Sequence, residues 1–176
     1  MDSSTSPSMD SVSVVRSYFQ AYCQLDYRLM AMHTTDEFVF EDPVFPHLEG
    51  DFARAMFKMF IIGAPKTGAK FTILDVSEAA ADPNVVNAKY RAEYSFNGRP
   101  VTNEISSVLT VEDGKVAKQV DSFDFPGWAA QTGGFVGWLL GGTSFAQSAT
   151  RDKAKHRLEA FMKKDPELAK ALEVRQ

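Results

Sequence analysis

One cysteine, Cys23, and three histidines are all that this 176-residue sequence offers to oxidative cross-linking or to a soft metal. A single cysteine excludes an internal disulfide framework and any cysteine-based zinc site. His33, His47 and His156 lie too far apart to read as a ligand set, so neither a metal nor an organic cofactor is expected. Positive charge is also short, with 19 Lys and Arg against 23 Asp and Glu, a net charge of -4 and a pI near 5.4. That is not the basic footprint that phosphate-backbone contacts require, and nucleic acid is not an expected partner. Long apolar runs are missing too. The stretch Phe135 to Leu140, interrupted by Gly137, falls far short of the roughly 20 residues of a bilayer crossing. The start, MDSSTSPSMDS, has no apolar core of a secretory signal and is expected to be a disordered tail over residues 1–11. A soluble, cytoplasmic protein is the expectation.

What is present is enough apolar material, 44% of residues, for one domain with a real core. Val14, Tyr18 and Tyr22 form one helical row and Val15, Phe19 and Cys23 a second beside it. Asp26 is placed as the N-cap of a short second helix carrying Leu29, Met30 and Met32. Phe38 to Glu41 reads as a strand closed by Asp42-Pro43, and Phe52 to Ile62 as a third helix ended by Gly63 and Pro65. Four strands follow, near Lys70–Ala79, Val86–Phe96, Thr102–Val111 and up to Phe123. Turns are expected at Asp82-Pro83-Asn84, Asn97-Gly98 and Glu112-Asp113-Gly114.

Consecutive hairpin-linked strands predict an antiparallel sheet. Alternation puts Tyr90, Ala92, Tyr94 and Phe96 on one side of their strand and Lys89, Arg91, Glu93 and Ser95 on the other. On the next strand Ile105, Ser107, Leu109 and Val111 share a side. Helices before a meander predict an α+β domain over 12–126, with a curved antiparallel sheet wrapped around the N-terminal helices and a pocket between them. Residues 127–176 read as an appendage. It begins with a Gly-rich apolar segment containing Trp128, Phe135 and Trp138, which covers either the pocket or an interface, or else meets a membrane or partner surface. An amphipathic helix follows over Arg151–Lys164, with Leu158, Phe161 and Met162 on one side, and then a short helix beginning at Asp165-Pro166-Glu167.

The segment VVRSYFQAYCQLDYRLMAMHTTDEFVFEDP, with FNGR at Phe96–Arg99 and GKV at Gly114–Val116, resembles the Δ5-3-ketosteroid isomerases. These belong to the nuclear transport factor 2-like superfamily, which also holds the SnoaL-like polyketide cyclases. The resemblance covers Val12 to Phe123 and implies a cone-like, cystatin-like α+β fold. It also implies a homodimer formed through the outer face of the sheet. Laid residue by residue, it puts a catalytic base at Asp42 and a tyrosine donor to the developing oxyanion at Tyr18. Two positions depart from the isomerase pattern: Ser107 stands where a protonated acid would be, and Lys58 where a supporting tyrosine would be. Ala117, Gln119, Asp121 and Phe123 fall on the pocket face, so Asp121 is a candidate second carboxyl beside Asp42.

The candidate catalytic residues are therefore Asp42, Tyr18 and Asp121. Tyr22, Phe57, Tyr90 and Tyr94 are candidate ligand contacts, as are Ser107, Gln119 and Phe123. Each also has a plain structural reading. Asp42 before Pro43 is a common strand-ending dipeptide, Tyr18 and Tyr22 fit a core helix row, and a bulge of one residue would turn Asp121 to solvent. His47, in the PHLEG loop, reads as solvated, and Arg91 falls on the polar face. The expected ligand is a small apolar or polycyclic molecule, handled by an isomerase, cyclase or dehydratase-type lyase without metal. The alternative is a non-catalytic ligand-binding or dimeric interaction module.

Overall fold

Asp10 accepts a hydrogen bond from the Ser13 amide at 2.8 Å and so opens helix α1, Ser11–Cys23, one residue before the expected start of the domain at Val12. In this computed structural model the described residues are 10–140 and 143–173; the leader 1–9 lies outside them. Both apolar rows of α1 are used, with Val14, Val15, Tyr18, Phe19 and Tyr22 buried. Asp26 caps α2, Tyr27–Met32, through the Leu29 amide at 3.0 Å. Of its apolar residues only Met30 is buried, while Leu29 and Met32 face solvent.

β1, Thr34–Glu41, starts earlier than expected, directly after α2. β2, Leu48–Glu49, is a two-residue strand with no sequence signature, paired antiparallel to β1. α3, Asp51–Thr67, runs past Gly63 and Pro65, where it was expected to stop. Pro65 lies in the last turn, where its missing amide forfeits one bond. The real stop is Gly68, left-handed at φ 65°, whose amide bonds back to Ala64.

The meander comprises β3, Lys70–Ala79, β4, Asp82–Phe96, β5, Arg99–Glu112, and β6, Lys115–Ser122. Two of its turns are two-residue hairpins with both central residues at positive φ, Asn97-Gly98 and Asp113-Gly114, as the right-handed twist of the strands favours. The first turn is Ala80-Ala81, because Ala79 pairs with Asp82. Asp82, Pro83 and Asn84 belong to β4, and Pro83 is tolerated there because pairing with β5 begins only at Val85. The six strands are ordered β2-β1-β6-β5-β4-β3, and every pair is antiparallel except β1 with β6. The sheet is curved, and with the helices it forms the cone-like α+β fold.

A bulge near Ala117 decides what β6 presents. Thr110 pairs with Lys118 but Val111 with Val116, so Val116 is buried and Ala117, expected inward, sits in the irregularity, only half-buried. Past the bulge Gln119 and Asp121 face the interior.

α4, Phe125–Leu140, α5, Ser144–Met162, and α6, Pro166–Glu173, complete the chain. The side chains of Phe135 and Trp138, expected to cover a pocket or an interface or to meet a membrane or partner surface, lie outside those described. α5 is more than an appendage, since Leu158 and Met162 are 2% and 0% exposed and join the same apolar cluster as Tyr18, Phe19 and Met56. Just past α5, Asp165 pairs with Lys58 of α3 at 2.6 Å, and the Lys58 ammonium lies 4.8 Å from the Tyr27 ring centroid. Truncating Leu158 to Ala should therefore cost about 2–5 kcal/mol in urea unfolding, as for a core leucine. A change below about 0.5 kcal/mol, typical of a surface site, would contradict this packing.

Candidate active site

Gln119 and Asp121 stand on the inward face of β6, and β5 lies beside them with Ser107 paired to Asp121. The Asp121 side chain is buried, and its carboxylate accepts three bonds from the protein. Ser107 Oγ donates to Oδ1, Gln119 Nε2 donates to Oδ1 at 2.9 Å, and the Tyr90 hydroxyl donates to Oδ2 at 2.6 Å. Burial pushes the Asp121 carboxyl up to about 6, against the pull of Ser107, Tyr90 and Gln119 toward the ionised form. Tyr18 extends the chain from α1, donating to Gln119 Oε1 at 2.7 Å. Its hydroxyl is thus engaged inside the network and stays neutral, because burial raises it well above its ordinary value.

Asp42 is placed by β1. Phe40 pairs with Gln119 and Glu41 with Val120 in parallel register, so alternation carries Asp42 to the inward side, one step beyond the last pair and beside Asp121. Its role as a turn residue is real: Oδ1 accepts the amides of Val44, at 2.7 Å, and of Phe45, while the Asp42 amide donates to Phe45 O at 2.8 Å. That leaves Oδ2 without a hydrogen bond from the described residues. Burial raises the Asp42 carboxyl to about 7; Asp121 adds to the rise, while the two amides and Arg151 oppose it. Glu41 turns the other way, to Lys118 at 3.1 Å and to exposed His47 at 3.3 Å.

Two carboxyls on neighbouring strand ends, one held by three side-chain donors and one by backbone amides on a single oxygen, are both raised toward neutral pH. Ser107, Tyr90 and Gln119, expected as ligand contacts, are brought together with Asp121 but spend their donors on it. Phe57 packs edge-on to Tyr22 at 5.4 Å between centroids, and Tyr22 stacks on Phe71 at 3.9 Å. Tyr94 accepts from Trp128 Nε1 at 2.6 Å, and Trp128 also meets Phe123 and Phe125, so α4 lies against that end of the sheet. Arg91 faces outward and pairs with Glu104.

A crevice of about 10 Å³, room for one water, opens beside Tyr18, Thr34 and Phe57. A groove of about 540 Å³ lies away from the carboxyls, between Gly68 and the β4–β5 hairpin. Among the described residues no cluster of three or more His, Cys, Asp and Glu could hold a metal ion, and no helix is long and apolar enough to cross a membrane. In the sequence Arg151 is only the first residue of the expected amphipathic helix. It reaches Pro43 O across 108 residues, and no local pattern signals such a contact.

The sequence profile of the SnoaL-like domain matches residues 15–119. No curated protein sequence matches the chain. Among solved structures, a proposed polyketide cyclase from Xanthomonas campestris pv. campestris is similar at 18% identity and a TM-score of 0.57, over 69% of this chain and 96% of that one. An LEH-like epoxide hydrolase from M. tuberculosis is similar at 20% identity and 0.54, over 74% and 90%. A protein of ketosteroid isomerase-like fold from Catenulispora acidiphila DSM 44928, in complex with trimethylamine, is similar at 13% identity and 0.54, over 68% and 92%. At these identities the likeness is one of fold.

The two raised carboxyls fix a sign for pH dependence. An unfolded Asp titrates near 4, so between about pH 4 and pH 7 the folded chain holds protons that the unfolded chain has released. Their contribution to stability is full below pH 4 and is lost as pH rises through 6 and 7. Carboxyls lowered by pairing, such as Glu41 with Lys118, act below that window. Urea unfolding between pH 4.5 and 8.5 should show the decline. Asp42→Asn keeps an acceptor for the Val44 and Phe45 amides and should flatten the curve; a stability that rises with pH across the window would contradict the assignment.

Proposed function

The chain belongs to the SnoaL-like domain family, and we propose on that footing that it binds a small hydrophobic molecule between its helices and sheet and acts on it by carboxylate acid–base chemistry. The observation that carries this reading is the juxtaposition of Asp42, just past the end of β1, with Asp121 on the inward face of β6, both carboxyls being raised toward neutrality. Asp42 is the base, and its Oδ2 takes a proton from a carbon beside a carbonyl. Asp121 is the second acid. Tyr18 donates to the developing oxyanion when a ligand carbonyl replaces Gln119 Oε1 as its acceptor. Ser107 is a minor polar contact, and Tyr22, Phe57, Tyr94 and Phe123 supply apolar surface.

This chemistry suits cyclisation, dehydration or epoxide opening as well as isomerisation. Turnover of Δ5-3-ketosteroids is not expected, since a serine hydroxyl is a weaker oxyanion donor than a neutral carboxylic acid. Loss of one such donor costs about 3 kcal/mol, or about 100-fold in rate. A homodimer through the outer face of the sheet belongs to the same reading, with Val108 exposed there.

One observation favours a second reading, a non-catalytic binding module: the donors of Tyr18, Tyr90 and Ser107 are all satisfied internally. The two readings separate in D2O, where exchange of the carbon-bound protons beside the carbonyl of apolar cyclic ketones is followed by NMR. The catalytic reading expects acceleration by the wild type that falls by about 100- to 10,000-fold in Asp42→Asn. Binding of the ketone without exchange supports the module, and an Asp42 carboxyl titrating near 4 removes the basis of the chemistry.

A further inference from the structure

The turn that carries Asp42 is gripped from outside the matched family domain. Helix α5 begins at Ser144, beyond residues 15–119, yet Arg151 Nε donates to Pro43 O at 3.0 Å. Pro43 is the residue between Asp42 and the two amides that Asp42 binds. α5 is itself anchored, by Leu158 and Met162 in the core and by the Lys58–Asp165 pair just beyond its end. The guanidinium is half-buried, and no carboxylate of the described residues lies within ion-pair distance of it.

We propose that Arg151 is a positioning residue for Asp42, holding the Asp42–Phe45 turn through Pro43 and setting its positive charge against the negative charge of Asp121. The inference rests on the reading of Asp42 as the working carboxyl. Among the described residues, Asp121 from β6 and Arg151 from α5 act on that carboxyl, and the neutral hydroxyl of Tyr22 from α1 is close enough to feel it. Glu41, next in sequence, is turned to Lys118 and His47. Asp121 favours the protonated form of Asp42 and Arg151 the ionised form, so the two flank it with opposite effects. Without Arg151, only the Val44 and Phe45 amides oppose burial and Asp121, and Asp42 holds its proton more tightly. The C-terminal helices then belong to the site.

The test is a 13C-carboxyl NMR titration of Asp42 in the full chain for wild type, Arg151→Gln and Arg151→Lys. Gln can still donate to Pro43 O but carries no charge, whereas Lys keeps the charge. Arg151→Gln should raise the Asp42 midpoint by about half a pH unit or more, with the Val44 and Phe45 amide resonances still those of the folded turn, and Arg151→Lys should restore most of it. An unchanged midpoint in Arg151→Gln, or an equal rise in both variants, overturns the proposal. The comparison is between variant and wild type, so a wild-type Asp42 titrating near 4 would sink the catalytic reading while the difference still decides the role of Arg151.

Discussion

A carboxylate taken out of water must be given donors, and Asp121 places that requirement at the centre of the structure. An isolated buried charge costs far more than a small domain can bear, so each donor is a structural obligation. Ser107 answers from β5, Tyr90 from β4 and Gln119 from β6 itself. Gln119 in turn is held by Tyr18 of α1. One side chain thereby ties the first helix to three strands, and the inward register of each of those strands follows from where its donor has to point. Leaving one such group unpaired in the interior would cost about 1–3 kcal/mol.

Asp42 meets the same requirement by different means. Its bonds come from backbone amides of its own turn and fall on one oxygen, so the carboxyl is fixed in place while its second oxygen is left to exchange a proton. Asp121 spends both oxygens on side chains. Neighbouring carboxyls in unequal surroundings are how a single fold divides acid from base. The inequality arises here from one residue lying in a turn and the other within a strand.

Much of this was legible in order. The paired helical rows of α1, the Asp26 cap, the Asn97-Gly98 and Asp113-Gly114 turns and the span of β3 all rest on local chemistry, and local chemistry is written in neighbouring residues. Arg91 on the polar side followed from alternation alone. What escaped was non-local. β2 exists only because β1 offers an edge, and the parallel pairing of β1 with β6 joins segments about eighty residues apart. Leu158, Met162 and Arg151 act across a hundred residues or more. Pro65 misled for the opposite reason: a strong local stop signal was overridden by Gly68 and the packing of Ala64. The spending of Ser107, Tyr90 and Gln119 on Asp121, rather than on a ligand, had no signature in alternation, which tells which way a side chain points and not what it meets.

The irregularity near Ala117 carries a consequence for how this hairpin can vary in length. Counted from the Val111–Val116 pair, strict alternation would bring positions 116, 118 and 120 inward and leave Asp121 in solvent. One surplus residue changes the parity, putting Lys118 outside, where it meets Glu41, and the carboxylate inside. The hairpin therefore has a reading frame. Loss of that one residue would yield a regular strand with the same side chains inward, whereas loss or gain of a single residue between Lys118 and Asp121 would exchange inside for outside. Chains that keep an acid at this place should vary in length on the turn side of Lys118 and not beyond it.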